Sequence, residues 1–155
     1  VFGEYAHINK KQVESNWHKL KTREKSEKES SVLGEVPKLM PSLSASLLIQ
    51  ERAASFGFDW EQYEQVLAKI YEEIEEIKRA KSIDAQEEEI GDLLFSVVNA
   101  SRWIGINPEL ALQRANNKFK MRIDKMANKA NSLGTNLADM GVFEMNALWD
   151  KVKLE

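Results

Sequence analysis

The sequence predicts an all-α protein, an antiparallel helical bundle of about five to six helices, and three observations carry that prediction. Glycine and proline are scarce, at 7 and 3 of 155 residues, and they cluster at a few positions. No stretch alternates apolar and polar residues over the length of a strand. Apolar residues instead recur with helical spacing in several long segments, so we expect their stripes to meet in a common core.

The length of 155 residues is in the size range of one domain. Apolar residues make up 43% and charged residues 30% of the 155, which supports a packed core. We predict a single domain over 1–155, with an N-terminal helix and linker over 1–40 and a helical core over 41–153. With no cysteine, signal peptide or membrane-length apolar run, we expect a cytoplasmic protein with no membrane partner. The net charge of −3 and the scattered basic residues argue against a nucleic-acid partner.

Two shorter helices are predicted before the long ones. The first covers about 7–26 and is followed by "KSEKESSVLGEVP", whose serines, glycine and proline break the helical pattern. The second covers about 41–55, because Pro41 suits a first helical turn and Gly57 suits a C-terminal cap.

The third and fourth predicted helices form the longest acidic part of the chain. The third covers about 60–81, with Asp59 as its expected N-cap, and the fourth covers about 85–104, with Asp84 as its expected N-cap. The loop between them is short, so we expect the two helices to be antiparallel neighbours.

The fifth and sixth predicted helices complete the bundle. Asn107 followed by Pro108 has the character of an N-cap and a first helical residue, which predicts a helix over about 108–132. A short final helix is predicted over about 141–152.

Helical phase separates the glutamates of the third predicted helix. At about 100° per residue, Glu73 lies roughly 75° from the centre of the apolar stripe, and Glu76 follows one turn later on the same side. Glu73 and Glu76 could therefore share a partly buried ligand, whereas Glu72 and Glu75 have the character of solvated charge. The stripe consists of Tyr63, Val66, Leu67, Ile70, Tyr71, Ile74 and Ile77.

The fourth predicted helix carries a narrow polar strip on an otherwise apolar surface. Apolar residues cover well over half of its circumference, so we expect it to be mostly buried. The strip comprises Glu89, Asp92, Ser96 and Asn99 and continues towards Trp103. Buried carboxylates without partners cost about several kcal/mol each, so Glu89 and Asp92 must be protonated, paired with a cationic side chain, or bound to a metal. The neighbouring Glu87 and Glu88 have the character of surface charge.

Two i,i+3 carboxylate pairs on adjacent helices fit a metal site made only of oxygen ligands. Mg²⁺ prefers such ligands and commonly shares substrate phosphates. Zinc would favour His or Cys, and a di-iron bundle would need Glu-x-x-His motifs, which the sequence lacks. The residues leave a second interpretation equally open, in which Glu89 and Asp92 form salt bridges with Lys or Arg of another helix.

The fifth predicted helix has a basic edge. Its expected core stripe is Leu112, Ala115, Phe119, Ile123 and Met126, and along one side run Lys118, Arg122, Lys125 and Lys129. A basic edge beside an acidic metal site suits a polyphosphate, whose remaining oxygens Lys and Arg would bind. The alternative is that Lys118 and Arg122 simply pair with the carboxylates. No phosphate-binding glycine loop and no nucleophile elbow is present.

Several stretches together resemble one family, the MazG-type all-α nucleoside triphosphate pyrophosphohydrolases. "EEIEE", a spacer and "EEEIGDLLF" resemble the family signature E-E-x-x-E…E-x-x-D. "ERAASFGFDW", "RANNKFKMR" and "MNALWDKVK" resemble the C-terminal catalytic domain of MazG proteins, so the resemblance extends over nearly the whole chain and implies that 41–153 is a catalytic core. Full-length MazG proteins have two related domains, and this chain has room for the second alone. Its spacer between the two acidic motifs is also short.

The resemblance implies a reaction, a cofactor and an assembly. Members of the family hydrolyse nucleoside triphosphates between the α and β phosphates, with Mg²⁺, for which Mn²⁺ is a possible substitute. The implied catalytic and metal-binding residues are Glu73, Glu76, Glu89 and Asp92. The implied substrate-binding residues are Lys118, Arg122, Asn99, Asn116, Trp149 and Lys153. The family forms intertwined homodimers whose active sites can draw on both subunits.

Two other functions stay open at this point. A narrow-specificity relative would hydrolyse dCTP or dUTP, or would act as a phosphoribosyl-ATP pyrophosphohydrolase. A protein of a different class would be a non-catalytic helical interaction module, in which the acidic rows are only salt-bridged surface.

Overall fold

The structure, a computed structural model, describes residues 31–154, and the helix predicted over 7–26 lies outside them. The described residues contain five α-helices, one short 3-10 helix and no strand, which confirms the all-α prediction. We number the helices α1 (Ser42–Ser55), α2 (Tyr63–Arg79), α3 (Ile83–Trp103), α4 (Pro108–Ser132) and α5 (Val142–Lys153), and the 3-10 helix Leu137–Asp139 precedes α5.

The chain divides into two compact units, Val1–Pro37 and Lys38–Glu155. All five described helices belong to the second unit. The assignment of 1–155 to a single domain, with a core over 41–153, stays a prediction.

The predicted N-cap of α2 is wrong. Asp59 lies in the loop before the helix, and α2 begins at Tyr63, after Gln62. The side-chain oxygen Oε1 of Gln65 accepts a hydrogen bond from the backbone N–H of Gln62 at 3.1 Å, which satisfies a donor at this helix start. The Asp59 carboxylate instead accepts hydrogen bonds from Arg102 of α3, so it makes a tertiary contact and does not cap α2.

The N-cap predicted for α3 lies two residues beyond the observed one, whereas the N-cap predicted for α4 is correct. Ser82, not Asp84, caps α3, because the Ser82 hydroxyl accepts a hydrogen bond from the backbone N–H of Ala85 at 3.2 Å. At α4 the predicted arrangement is confirmed: Asn107 is the N-cap and Pro108 the first helical residue.

Two sets of helix contacts organise the unit. Helices α2 and α3 form a hairpin and pack along each other, and α1 packs against α3. Val66 and Val98 are fully buried in this part of the unit. Helix α5 packs against α4 around an apolar cluster of Met126, Ala130, Leu148 and Val152.

The apolar side of α3 is more exposed than the sequence predicts. Ile90, Leu94 and Val97 are 48%, 52% and 43% exposed, whereas Ser96 of the polar strip is buried. The expectation that α3 is mostly buried is therefore wrong for a single chain. Helical periodicity identifies the two sides of a helix, but it does not say which side the same chain will cover.

Other large apolar side chains are also left uncovered on α2 and α4. Tyr71 of α2 and Leu112 and Phe119 of α4 are exposed, although all three belong to predicted core stripes. Large apolar side chains left exposed on several helices are candidates for an association surface. Among the described residues, no helix has both the length and the apolar character needed to cross a membrane.

Candidate active site

Three carboxylates from α2 and α3 converge at the helix hairpin. Glu73, Glu76 and Glu89 each offer one carboxylate oxygen, and these three atoms lie within 4.8 Å of one another. Glu73 and Glu76 are one helical turn apart, which puts both on the side of α2 that faces α3. Asp92, the fourth predicted ligand, lies one turn after Glu89 on α3 but outside this group of three.

Glu73 is the most buried member of this carboxylate cluster, at 2% exposure. Its Oε1 accepts a hydrogen bond from the Lys69 ammonium at 2.7 Å, and its Oε2 is buried with no hydrogen-bond partner. An unsatisfied buried carboxylate oxygen is costly, so the arrangement favours a cationic ligand beside Oε2. The oxygen donors present therefore fit a divalent cation.

Lys69 was not singled out by the sequence, although it is central to this arrangement. Its Nζ bonds Glu73 and also Glu72, the latter at 2.9 Å, and these two contacts raise the pKa of Lys69. The available sequence signal was the i,i+4 spacing between Lys69 and Glu73, which is common on helix surfaces and so is weakly specific.

Glu76 experiences the negative charge of the cluster. The neighbouring Glu73 carboxylate is the main cause that raises the pKa of Glu76, followed by burial and then by the charge of Glu89. Carboxylates this close disfavour one another's ionised forms unless a cation is present. The cluster is therefore electrostatically prepared for a metal and unfavourable without one.

The alternative of structural salt bridges is not realised within the described part of the chain. Over residues 31–154, neither Glu89 nor Asp92 forms an ion pair with Lys or Arg. The glutamates predicted to be surface charge behave as expected, because Glu72 pairs with Lys69 and all four are exposed: Glu72, Glu75, Glu87 and Glu88.

A cleft of about 580 Å³ opens beside the carboxylates. Glu73 and Asp92 belong to its lining, so the cleft reaches the candidate metal site. Elsewhere its walls include the aromatic side chains of Phe58, Trp60 and Phe95. Carboxylates at one part of a cleft and aromatic rings at another suit a ligand with a charged portion and a flat apolar portion.

A network of polar side chains holds the 56–62 loop against α3. The Arg102 guanidinium donates to both carboxylate oxygens of Asp59, with Nη1 to Oδ2 at 2.9 Å, and Trp103 Nε1 donates to Oδ1 at 3.3 Å. Arg102 Nη2 also donates to Asn99 Oδ1 at 2.8 Å. The hydrogen bond from Arg102 holds the pKa of Asp59 below its usual value. The network thereby joins two walls of the cleft, and Asn99 belongs to the cleft lining, while its substrate-binding role stays a prediction.

Sequence comparison agrees with this geometry. Residues 61–127 match the profile of the MazG nucleotide pyrophosphohydrolase domain, and that range contains all four predicted ligands. Over 153 residues the chain is 42% identical to the nucleoside triphosphate pyrophosphohydrolase/pyrophosphatase MazG of Thermotoga maritima, covering 99% of this chain and 58% of the relative. The chain thus contains a MazG nucleotide pyrophosphohydrolase domain and is similar to a MazG protein over nearly its whole length.

Two further relatives extend the comparison. The nucleoside triphosphate pyrophosphohydrolase of Escherichia coli strain K12 is 36% identical over 159 residues, covering 99% of this chain and 60% of that protein. A Bacillus subtilis protein described as uncharacterized protein YabN is 38% identical over 157 residues, which is 32% of its length. The chain thus spans about three fifths of the first two MazG-family relatives.

The predicted basic residues do not line the cleft. Lys118 and Asn116 are exposed on α4, and Arg122 lies over the Trp149 ring, with its guanidinium carbon 5.5 Å from the ring centroid. Lys153 is exposed near the end of α5. The structure thus brings Arg122 and Trp149 together, but outside the cleft of their own chain. The substrate-binding roles of these five residues stay predictions.

Proposed function

We propose that this chain hydrolyses nucleoside triphosphates between the α and β phosphates, releasing a nucleoside monophosphate and pyrophosphate. The observation that carries the proposal is the buried Glu73 carboxylate, whose unpartnered Oε2 lies in a cluster of three carboxylates beside a cleft of about 580 Å³. Such a cluster suits a cation that in turn binds phosphate. The activity named for the Thermotoga and Escherichia relatives supports the same reaction.

The cofactor proposed for this site is Mg²⁺, with Mn²⁺ as a substitute. Glu73, Glu76, Glu89 and Asp92 would hold it, because all four supply the carboxylate oxygens that these hard cations prefer. When bound, the metal would neutralise phosphate oxygens and favour attack by water.

The side chains divide the remaining work of the reaction. A carboxylate of the cluster accepts the proton of the attacking water, so no covalent enzyme intermediate is needed. Lys118 and Arg122 bind phosphate oxygens and stabilise the charge on the leaving pyrophosphate. The nucleoside portion is contacted by Asn99, Asn116, Trp149 and Lys153.

A homodimer is the proposed active form. Its support is that Lys118 and Arg122 are absent from the cleft of their own chain, while apolar side chains such as Leu94 and Phe119 are exposed. A second copy would cover the apolar surface and bring its basic helix to the cleft. Light scattering should give twice the mass of one chain, and Leu94→Glu should lower that mass. A wild-type monomer that turns over substrate would contradict the dimer.

Product analysis tests the reaction directly. The protein is incubated with each ribo- and deoxyribonucleoside triphosphate and Mg²⁺, and the products are resolved by ³¹P NMR. We expect monophosphate and pyrophosphate in equal amounts. Orthophosphate with nucleoside diphosphate, or no turnover of any substrate, would contradict the proposal. The same panel, with phosphoribosyl-ATP as an additional substrate, separates a broad enzyme from a dCTP, dUTP or phosphoribosyl-ATP hydrolase.

The non-catalytic alternative has its own readout. A helical interaction module would gain no thermal stability from Mg²⁺, with or without a non-hydrolysable nucleotide, whereas the proposed enzyme would gain stability from both. The cytoplasmic location and the lack of nucleic-acid or membrane partners stay predictions.

A further inference from the structure

Gln50 of α1 is a buried amide that neither the metal site nor the phosphate chemistry uses. The residue is 6% exposed, it lies in the lining of the cleft, and its Oε1 is buried with no hydrogen-bond partner. A buried carbonyl oxygen without a donor loses the hydrogen bonds that it would make to water. Such an atom at the wall of a ligand cleft is therefore a candidate for bonding the ligand.

The orientation of the Gln50 amide is fixed. Its Nε2 donates to the backbone carbonyl of Phe95 on α3 at 2.9 Å. A carbonyl can only accept a hydrogen bond, so the NH₂ group must point at Phe95, and Oε1 must be the atom left without a partner. The side chain therefore offers the cleft its carbonyl oxygen as an acceptor, while one of its two N–H groups is held by Phe95.

Asn99, one turn further along α3 from Phe95, has the complementary orientation. Both Nε and Nη2 of Arg102 donate to Asn99 Oδ1, at 3.3 and 2.8 Å. Arginine can only donate, so these bonds occupy the Asn99 oxygen and leave its NH₂ group to donate elsewhere. Gln50 and Asn99, both in the lining of the cleft, thus differ in polarity, one accepting and one donating.

The amide pair lies beyond the proposed metal ligands along α3. Phe95, the partner of Gln50, follows Asp92 by three residues and Asn99 follows it by seven, which corresponds to roughly 4.5 and 10 Å along a helix axis. The aromatic side chains of Trp60, Phe58 and Phe95 line the same cleft. Flat aromatic walls with an oriented acceptor suit a nucleobase better than a phosphate, which carries no N–H donor and would be repelled by a carbonyl oxygen.

We propose that Gln50 is a specificity-determining residue whose Oε1 accepts a hydrogen bond from an N–H group of the substrate nucleobase. This inference rests on the proposed function for the identity of the substrate. It assigns the buried acceptor of the cleft to base recognition and predicts that a base without the matching N–H is a poor ligand.

Paired nucleotides that differ in one hydrogen-bond donor group, an amino group or a ring N–H, test the inference with the wild-type chain. The pairs are ATP and purine riboside triphosphate, CTP and 2-pyrimidinone riboside triphosphate, UTP and its 3-methyl form, and GTP and its 1-methyl form. For the preferred base, loss of the N–H should lower kcat/KM by roughly 10- to 100-fold, because a buried acceptor is left unpaired. Equal kcat/KM for both members of all four pairs would overturn the inference.

The variant Gln50→Leu closes a thermodynamic cycle. It removes the acceptor at similar volume, so it should lower kcat/KM for the natural substrate but abolish the discrimination within the pair. Gln86→Leu is the matched control, because Gln86 is exposed on α3 and outside the cleft, and it should keep the wild-type ratio. If Gln50→Leu keeps the wild-type kcat/KM ratio within the pair, base recognition by Gln50 is wrong. It is also wrong if the effect of Gln50→Leu depends instead on removing the 2′- or 3′-hydroxyl of the nucleotide.

Binding measurements separate this inference from the proposed reaction. The nucleoside monophosphates of the same pairs are titrated by calorimetry against wild type and Gln50→Leu. Absence of turnover together with base-dependent binding that Gln50→Leu removes would refute the hydrolysis and support the inference. Normal turnover, together with unchanged base discrimination in Gln50→Leu, would support the hydrolysis and refute the inference.

Discussion

The two helix hairpins of the unit handle charge in opposite ways. Between α2 and α3, carboxylates are drawn inward until Glu73 is almost completely buried, with one oxygen left unpartnered. Between α4 and α5, the core is purely apolar, and Lys118 and Lys153 lie exposed outside it. Burying charge requires compensation, whereas exposing it does not. The α2–α3 hairpin, the acidic half of the unit, therefore forms a candidate site within one chain. The α4–α5 hairpin, the basic half, has a surface that a ligand or a second copy can engage.

The largest expected effect is on the acidic half. Glu73→Gln or Asp92→Asn should lower kcat by roughly 100-fold or more, because each removes a carboxylate from the proposed metal site. Folding should be retained, because the glutamine can still accept the hydrogen bond from Lys69 and the cluster loses a repelling charge. Steady-state kinetics and thermal unfolding without metal measure the two expectations.

Glu72→Gln is the matched control for this prediction. Glu72 also bonds Lys69, but it is exposed and is not one of the three clustered carboxylates. A surface ion pair contributes about 0–1 kcal/mol, so activity should stay within about twofold of wild type. Full activity in Glu73→Gln would show that the ligand assignment is wrong.

A smaller effect is expected on the basic half. Lys118→Ala should lower kcat/KM by about 10-fold, because one charge-assisted hydrogen bond to phosphate is lost. Lys120→Ala, also exposed on α4, removes an equal charge and is the control. Equal losses in the two variants would indicate only a general electrostatic effect.

Subunit mixing asks whether the two halves come from different chains. If the carboxylates of one chain work with Lys118 of the other, a heterodimer of Glu73→Gln and Lys118→Ala chains has one intact site. Random mixing should then restore about a quarter of wild-type activity. If both halves of a site come from the same chain, every heterodimer site carries a substitution, and mixing restores nothing.

Much of the fold followed from local signals in the sequence. The predicted start of α4 is correct because Asn107 and Pro108 act within one turn of chain. Asp59 was assigned wrongly because its partner, Arg102, is 43 residues away. The apolar stripe of α3 was located correctly, but its exposure was not, because a periodic pattern carries no information on which side the same chain covers.

Some residues of the candidate site could be predicted from local sequence signals, and others could not. Helical phase and i,i+3 spacing singled out Glu73, Glu76, Glu89 and Asp92, and the structure brings the first three together. Gln50 and Arg102 gave no comparable signal, because their importance depends on how α1 and the 56–62 loop pack against α3. Contacts within one helix pair therefore left more signal in the sequence than contacts across the cleft, although Lys69 of α2 was missed.

The smallest expected effect is a difference in how stability depends on pH. The pKa of Glu76 is raised by its neighbours in the cluster, so the metal-free folded chain binds this proton more tightly than the unfolded chain does. Stability should therefore fall as pH rises from the ordinary glutamate pKa through the raised value. Glu75 is the opposite case, because Lys78 lowers its pKa and its contribution to stability is lost as pH falls.

In thermal unfolding without metal, the stability of Glu76→Gln relative to wild type should rise towards neutral pH, whereas that of Glu75→Gln should fall. Saturating Mg²⁺ should remove the advantage of Glu76→Gln, since the cation compensates the ionised cluster. Identical pH profiles for wild type and Glu76→Gln would mean that the carboxylates do not repel one another in the folded chain.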